Sequence, residues 1–177
     1  LGSSPDSARL AAELGLPYGV ALFINPQFDP HIIGLYKKHF KPSAQCSESK
    51  VMLSTQIFAA DTEDKAAALS HAANLSFVRF VTRRGAPGTI SPEEALQYRF
   101  SAEETLLVKQ MSERRIVGTR DQVQEQAGEL IDVYQADEML AVCNAYHFQD
   151  RVRSFEIFAN AMGAARNREN TSETAAA

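Results

Sequence analysis

Val51-Met52-Leu53-Ser54-Thr55-Gln56-Ile57-Phe58-Ala59-Ala60 runs straight into Asp61-Thr62-Glu63 and then into Ala66, Ala67, Leu69 and Ala72 at helical spacing. The first stretch has the apolar character of a strand buried on both faces. Thr62 is placed to cap the helix that follows, its hydroxyl accepting an N–H of the first turn. A strand that leads at once into an amphipathic helix is a βα unit, and repeated βα units imply a parallel sheet with helices packed outside it.

The same alternation extends in both directions. Upstream, Tyr18 to Ile24 (YGVALFI) reads as a strand, preceded by a helix whose Leu10, Ala11 and Leu14 share one face and which Gly15 terminates. Asn25 to Pro30 is a loop, and Ile32, Ile33, Leu35, Tyr36 and Phe40 mark a helix that must stop near Pro42. Downstream, Leu106, Leu107, Gln110 and Met111 suggest a helix. Ile116-Val117-Gly118-Thr119 then leads into another, capped by Thr119 and carrying Val123, Ala127, Leu130, Ile131 and Tyr134 on one face. Glu138 to Cys143 (EMLAVC) is a third strand, and Val152, Phe155, Ile157, Phe158, Ala159 and Met162 mark the last long helix. Periodicity fades over about 77–100, where Arg83-Arg84-Gly85-Ala86-Pro87-Gly88 and Ser91-Pro92 indicate an insertion. Residues 1–166 read as one domain, and the polar tail 167–177 has nothing to bury and is expected to be disordered. Three strands, with the stump of a fourth at Leu1, are about half of what a (β/α)8 TIM barrel requires, so the expected fold class is α/β, half of such a barrel.

Composition narrows the function. The 177 residues are 45% apolar and 23% charged, as in a soluble globular domain, and the net charge of -4 with scattered Lys and Arg argues against nucleic acid. Cys46 and Cys143 are far apart, and His31, His39 and His71 form no ligand pair, so neither a disulfide framework nor a metal site is indicated. No apolar run reaches the roughly 18 residues of a membrane span, and no charged-then-apolar leader precedes the first helix, which points to the cytoplasm and away from membranes. The chain opens on Leu1 directly at a turn motif and reads as a piece of a longer protein.

That turn is the strongest chemical signal. Gly2-Ser3-Ser4-Pro5-Asp6-Ser7 lies where a strand would end and a helix begin, and the free N–H groups and positive dipole end of a helix stabilise an anion there. Gly2 allows close approach, and the hydroxyls of Ser3, Ser4 and Ser7 add donors. The alternative for the same residues is a plain cap, with Ser4 as N-cap, Pro5 at the first helical position and Asp6 favourable to the dipole.

Leu1-Gly2-Ser3-Ser4-Pro5-Asp6-Ser7-Ala8-Arg9-Leu10-Ala11-Ala12-Glu13-Leu14-Gly15-Leu16-Pro17 resembles the central motif of bacterial-luciferase-like flavin-dependent monooxygenases. The likeness resumes at Phe40-Lys41-Pro42-Ser43, Ala59-Ala60-Asp61-Thr62, Ile116-Val117-Gly118-Thr119, Ala136-Asp137-Glu138 and Arg151-Val152-Arg153-Ser154-Phe155-Glu156, in the family order. It implies the C-terminal half of a (β/α)8 barrel that binds reduced FMN at the C-terminal ends of its strands. It also implies an oxidoreductase that uses O2 to oxygenate a small organic substrate, with a separate flavin reductase and the missing N-terminal half as partners and a homodimer as the assembly. Ser3, Ser4 and Ser7, with Gly2, match the positions that hold the FMN phosphate. Ala21 and Leu22, at the end of the first strand, fall where the family packs against the flavin ring. Histidines common after that strand are replaced by Phe23-Ile24-Asn25, and Asn144-Ala145-Tyr146-His147-Phe148 departs from the usual order near the last strand. The catalytic acid or base is therefore unknown, with His147 as a weak candidate. Two other readings stay open: a non-catalytic flavin-binding or interaction protein, and a deazaflavin-dependent hydride-transfer enzyme.

Overall fold

The computed structural model describes residues 1–84 and 88–174, with side chains as far as residue 163. In chain order the elements are α1 (Pro5–Glu13), β1 (Tyr18–Ala21), α2 (His31–His39), β2 (Val51–Ala59), α3 (Glu63–Thr82), α4 (Pro92–Ala95), α5 (Ala102–Ser112), β3 (Ile116–Gly118), α6 (Arg120–Tyr134), β4 (Glu138–Val142) and α7 (Phe148–Thr174). All strand pairs are parallel, as the alternation of strands and helices requires. Thr62 caps α3, its hydroxyl accepting the Lys65 N–H at 3.3 Å. Gly15 ends α1 with a φ of 62°.

Several boundaries differ from the sequence reading. β1 stops at Ala21, because the Ala21 carbonyl accepts the Ile24 and Asn25 N–H groups, both at 3.1 Å, and the chain turns there. β3 is a strand that the apolar pattern does not announce, since three residues are too few to show a period. The stump expected at Leu1 is present as an isolated parallel bridge from Gly2 to Val20, with Gly2 N–H donating to Gly19 O at 2.9 Å. α3 continues to Thr82, past the point where periodicity fades, with Leu75 and Val78 buried. Residues 85–87 of the expected insertion lie outside the described residues, as do 175–177 and the side chains of the rest of the expected tail.

The chain divides into two compact units. The first is Leu1–Gln56 with Gln110–Arg115 and Gly128–Val142. Here the first part of β2 lies between β1 and β4, in register Tyr18↔Val51 to Ala21↔Ser54 on one side and Met52↔Glu138 to Gln56↔Val142 on the other. One face of this sheet is covered by helices: the Tyr18 ring stacks on Tyr36 of α2 at 5.4 Å, and its hydroxyl reaches Ser7 of α1. Tyr36 ties the lower ends of β1 and β2 together, its hydroxyl lying 2.9 Å from Leu16 O and accepting the Lys50 N–H at 3.1 Å. Because side chains alternate across a strand, Gly19, Ala21, Met52, Ser54 and Gln56 lie on the opposite face, joined by Glu138, Leu140 and Val142 of β4.

The second unit is Ile57–Lys109 with Ile116–Ala127 and Cys143–Ala177. Its strands are the end of β2 and β3, paired Ile57↔Ile116 to Ala59↔Gly118. Phe58, Leu69, Ala73 and Ala145 form one core cluster, and Ala72, Leu75, Ile90 and Ala95 a second. Ser101 and Glu104 close a capping box at the start of α5: the carboxylate accepts the Ser101 N–H at 2.9 Å and the hydroxyl accepts the Glu104 N–H at 3.2 Å. Among the described residues no helix is long and apolar enough to cross a membrane, and no group of three or more His, Cys, Asp or Glu is placed to hold a metal ion.

Candidate functional site

In the first unit, Gly2, Ser4, Ser7 and Tyr18 converge at the N-terminus of α1. Ser4 is the N-cap with extended backbone, φ -130° and ψ 158°, and Pro5 occupies the first helical position. A serine completes the capping box where a Glu or Gln is usual: Ser4 Oγ accepts the Ser7 N–H, and Ser7 Oγ accepts the Ser4 N–H, both at 3.2 Å. Ser7 Oγ also donates to Ser4 O at 2.7 Å and lies 3.0 Å from the Tyr18 hydroxyl. Burial pushes the Tyr18 phenol up, with the Ser7 bond opposing, so the group stays protonated at neutral pH. Gly2 is needed for this packing, because a Cβ there would collide with the Ser7 hydroxyl and stand 2.5 Å from Ser7 Cβ. The cap reading of these residues is thus observed in the structure, and the hydroxyls of Ser3 and Ser4 lie on exposed residues beside the positive end of α1.

Ala21 and Leu22 lie at the end of β1 and are both buried. The Leu22 N–H donates to Ser54 O at 2.8 Å, which carries the β1 to β2 ladder one residue past the strand. Residues that sequence patterning passed over stand on the sheet face opposite the helices. Ser54, only 3% exposed, is in register with Ala21, and its hydroxyl has no hydrogen-bond partner among the described residues. Two residues on, Gln56 Oε1 accepts from Arg115 Nε at 3.2 Å and Nη2 at 2.9 Å. Burial disfavours the guanidinium charge and pushes its pKa down to about 10, so Arg115 remains a cation at neutral pH. The signal for these residues was polarity inside an apolar strand, which composition alone does not separate from chance. A larger groove of about 590 Å³ opens beside the first residues of β2 and β4, lined by Pro17, Cys46, Glu48, Lys50, Val51 and Glu138. It lies at the strands' N-terminal ends, whereas ligands in parallel βα folds gather at the C-terminal ends.

In the second unit, three stretches distant in sequence meet at the C-terminal ends of β2 and β3. Asp61 follows β2, Thr119 follows β3 and Arg153 projects from α7, and together with Arg120, Asp121 and Asn160 they line a groove of about 250 Å³. Arg153 is bound to Asp61 at 2.6 Å and to Glu156 at 2.9 Å, and holds the Asp61 carboxyl below the usual carboxylate range. Arg120 is likewise paired with Asp121 at 2.7 Å, so this groove is internally neutralised rather than a free cationic clamp. Thr119 is at the N-cap of α6, but the bonding runs the other way from that expected: Gln122 Oε1 accepts the Thr119 N–H at 2.9 Å. His147 is half-exposed and its Nε2 lies 3.5 Å from Glu93 Oε2, beside Tyr146.

No family model matches the chain. It is 35% identical over 163 residues to YwcH of Bacillus subtilis (strain 168), a match that takes in 91% of this chain and 48% of that protein. It is 32% identical over 158 residues to the luciferase-like monooxygenase of Escherichia coli (strain K12), taking in 89% of this chain and 47% of the other. The crystal structure of apo-MsnO8 superposes with a TM-score of 0.76 at 25% identity, over 92% of this chain and 50% of its own. The chain belongs to the luciferase-like family. Its fold class is half of a (β/α)8 barrel, and this luciferase-like chain spans about half the length of the curated relatives it matches. The front turn, Gly2 to Ser7, and the Asp61, Thr119 and Arg153 meeting point are the places where its sequence motifs become structure.

Proposed function

We propose that this chain is the cofactor-binding part of a flavin monooxygenase, holding the phosphate of reduced FMN at the N-terminus of α1 through Ser3, Ser4 and Ser7, with Gly2 lining the same turn. The observation that carries the reading is the turn itself. It is fastened to β1 by the Gly2 bridge, it presents hydroxyls at a helix's positive end, and it is packed so tightly that a Cβ at Gly2 has no room. These residues fit a phosphate: the hydroxyls of Ser3 and Ser4 are on exposed residues, and that of Ser4 can turn from its 3.3 Å bond to Ser7 Oγ to donate outward. Asp6, also exposed and the acidic residue of the first turn, opposes an anion. Ala21 and Leu22 are assigned to the flavin ring by their place at the end of β1. When bound, reduced flavin supplies the electrons with which O2 is activated to oxygenate a small organic substrate. The chain's own contribution is to bind and orient that group and to keep the strand ends dry. Turnover is assigned to this chain acting together with the polypeptide that makes up the rest of its relatives' length.

Titration of FMN and of riboflavin by flavin fluorescence, with the chain and with its Ser3→Ala/Ser4→Ala variant, tests the reading. Loss of hydrogen bonds to a charged group, about 1.5–3 kcal/mol each, lowers FMN affinity tenfold or more and leaves riboflavin, which lacks the phosphate, unaffected. Equal FMN affinity in parent and variant rejects the phosphate assignment.

A further inference from the structure

We infer that Ser54 is a flavin-binding residue, its hydroxyl donating to a polar atom on the edge of the ring beyond the end of β1. The inference rests on the flavin reading above but uses residues that reading does not. Ser54 is 3% exposed, and its Oγ has no hydrogen-bond partner among the described residues. An unpaired hydroxyl inside a strand costs stability that alanine at the same place would not, so such an atom calls for an explanation. Its place supplies one. Register sets Ser54 between Ala21 of β1 and Leu140 of β4, on the sheet face turned away from α1 and α2, beside the last residue of β1.

The neighbours on that face are suited to a planar, amphipathic ligand. Gly19 and Ala21 present almost no side chain, and Met52, Gln56 and Leu140 are each partly open, Leu140 being 50% exposed. Ser54 is thus a buried polar atom on a face whose other members admit contact. One step along β2, the Gln56 amide is held by the Arg115 guanidinium at 2.9 Å, which fixes its orientation and brings a cation to the same face. A hydroxyl donor beside a positively charged group matches the carbonyl and ring-nitrogen edge of a flavin, where added electron density accumulates on reduction.

The test measures binding and folding together, on the full chain. Ser54→Ala removes the hydroxyl without leaving a partner unsatisfied. Its urea midpoint is expected to equal or exceed that of the parent, while affinities for FMN and riboflavin both fall about tenfold. Ser54→Cys, nearly the same size with a weaker donor, is expected to fall between the two. Unchanged affinity in Ser54→Ala overturns the inference, as does a lowered urea midpoint, which would make the role structural, or a failure of the unsubstituted chain to bind either flavin. The riboflavin arm separates this proposal from the phosphate assignment. Should Ser3→Ala/Ser4→Ala leave FMN binding intact while Ser54→Ala weakens both ligands, the phosphate cradle fails and Ser54 stands.

Discussion

Replacing Ser154 by alanine should unfold this protein more readily than any change of comparable size on its surface. Ser154 is fully buried on α7, and its Oγ accepts the Ala59 N–H at 3.1 Å while donating to Ala59 O at 2.8 Å. A single hydroxyl thereby does for the last residue of β2 what a neighbouring strand would do, satisfying both of its backbone groups. Ser154→Ala removes two hydrogen bonds worth about 1 kcal/mol each and leaves a buried N–H and C=O without partners, which adds about 1–3 kcal/mol. The total is roughly 3–5 kcal/mol, a large share of the stability of about 5–15 kcal/mol of an ordinary domain. The space left is that of one oxygen atom, too small to admit a water that would repair the loss. Urea unfolding followed by circular dichroism measures the difference, with Ser47→Ala on an exposed loop as the control expected within about 0.5 kcal/mol of the parent. Hydrogen exchange at the Ala59 amide should accelerate in the variant before the rest of β2 does. A loss below about 0.5 kcal/mol, or an unchanged Ala59 exchange rate, would show that the strand end is held by something else.

Two further outcomes follow from the second unit. Arg153 keeps the folded pKa of Asp61 below its ordinary value of 3.8, so the ion pair's contribution is complete above that value and is lost as pH falls through the lower, folded one. The unfolding midpoints of the parent and Asp61→Asn should therefore differ most at neutral pH and draw together as the pH falls below 3.8, and a gap that does not narrow on acidification would count against the pair. Gly118 joins β3 to α6 with a φ of 146°, and a Cβ there would collide with the Gln122 amide oxygen and stand 2.8 Å from Gln122 Cβ. Gly118→Ala should cost about 1–3 kcal/mol in thermal or urea unfolding, and a variant as stable as the parent would mean that the turn relaxes freely.

What the sequence determined by itself is local. The βα alternation, the Thr62 and Ser4 caps, Pro5 at the first helical position and Gly15 at the end of α1 all depend on residues within a turn of one another. The front turn could be singled out for the same reason, as six consecutive residues carry its hydroxyls, its glycine and its helix start. Tertiary structure decided the rest. β3 is three residues long: Ile116 and Val117 favour extended backbone, but so short a stretch becomes a strand only because the end of β2 offers it a ladder. The Arg153 to Asp61 pair joins residues 92 apart and the Ser154 to Ala59 bonds join residues 95 apart, and no spacing rule foretells either. Ser54 makes the contrast plain. In sequence it is one of three polar residues in an otherwise apolar strand, and only the fold that sets it between Ala21 and Leu140 shows its hydroxyl to be buried and, among the described residues, unanswered. Helix caps and strand runs are set by short-range sterics and hydrogen bonding, whereas pairing and burial are set by the path of the whole chain, which neighbouring residues do not encode.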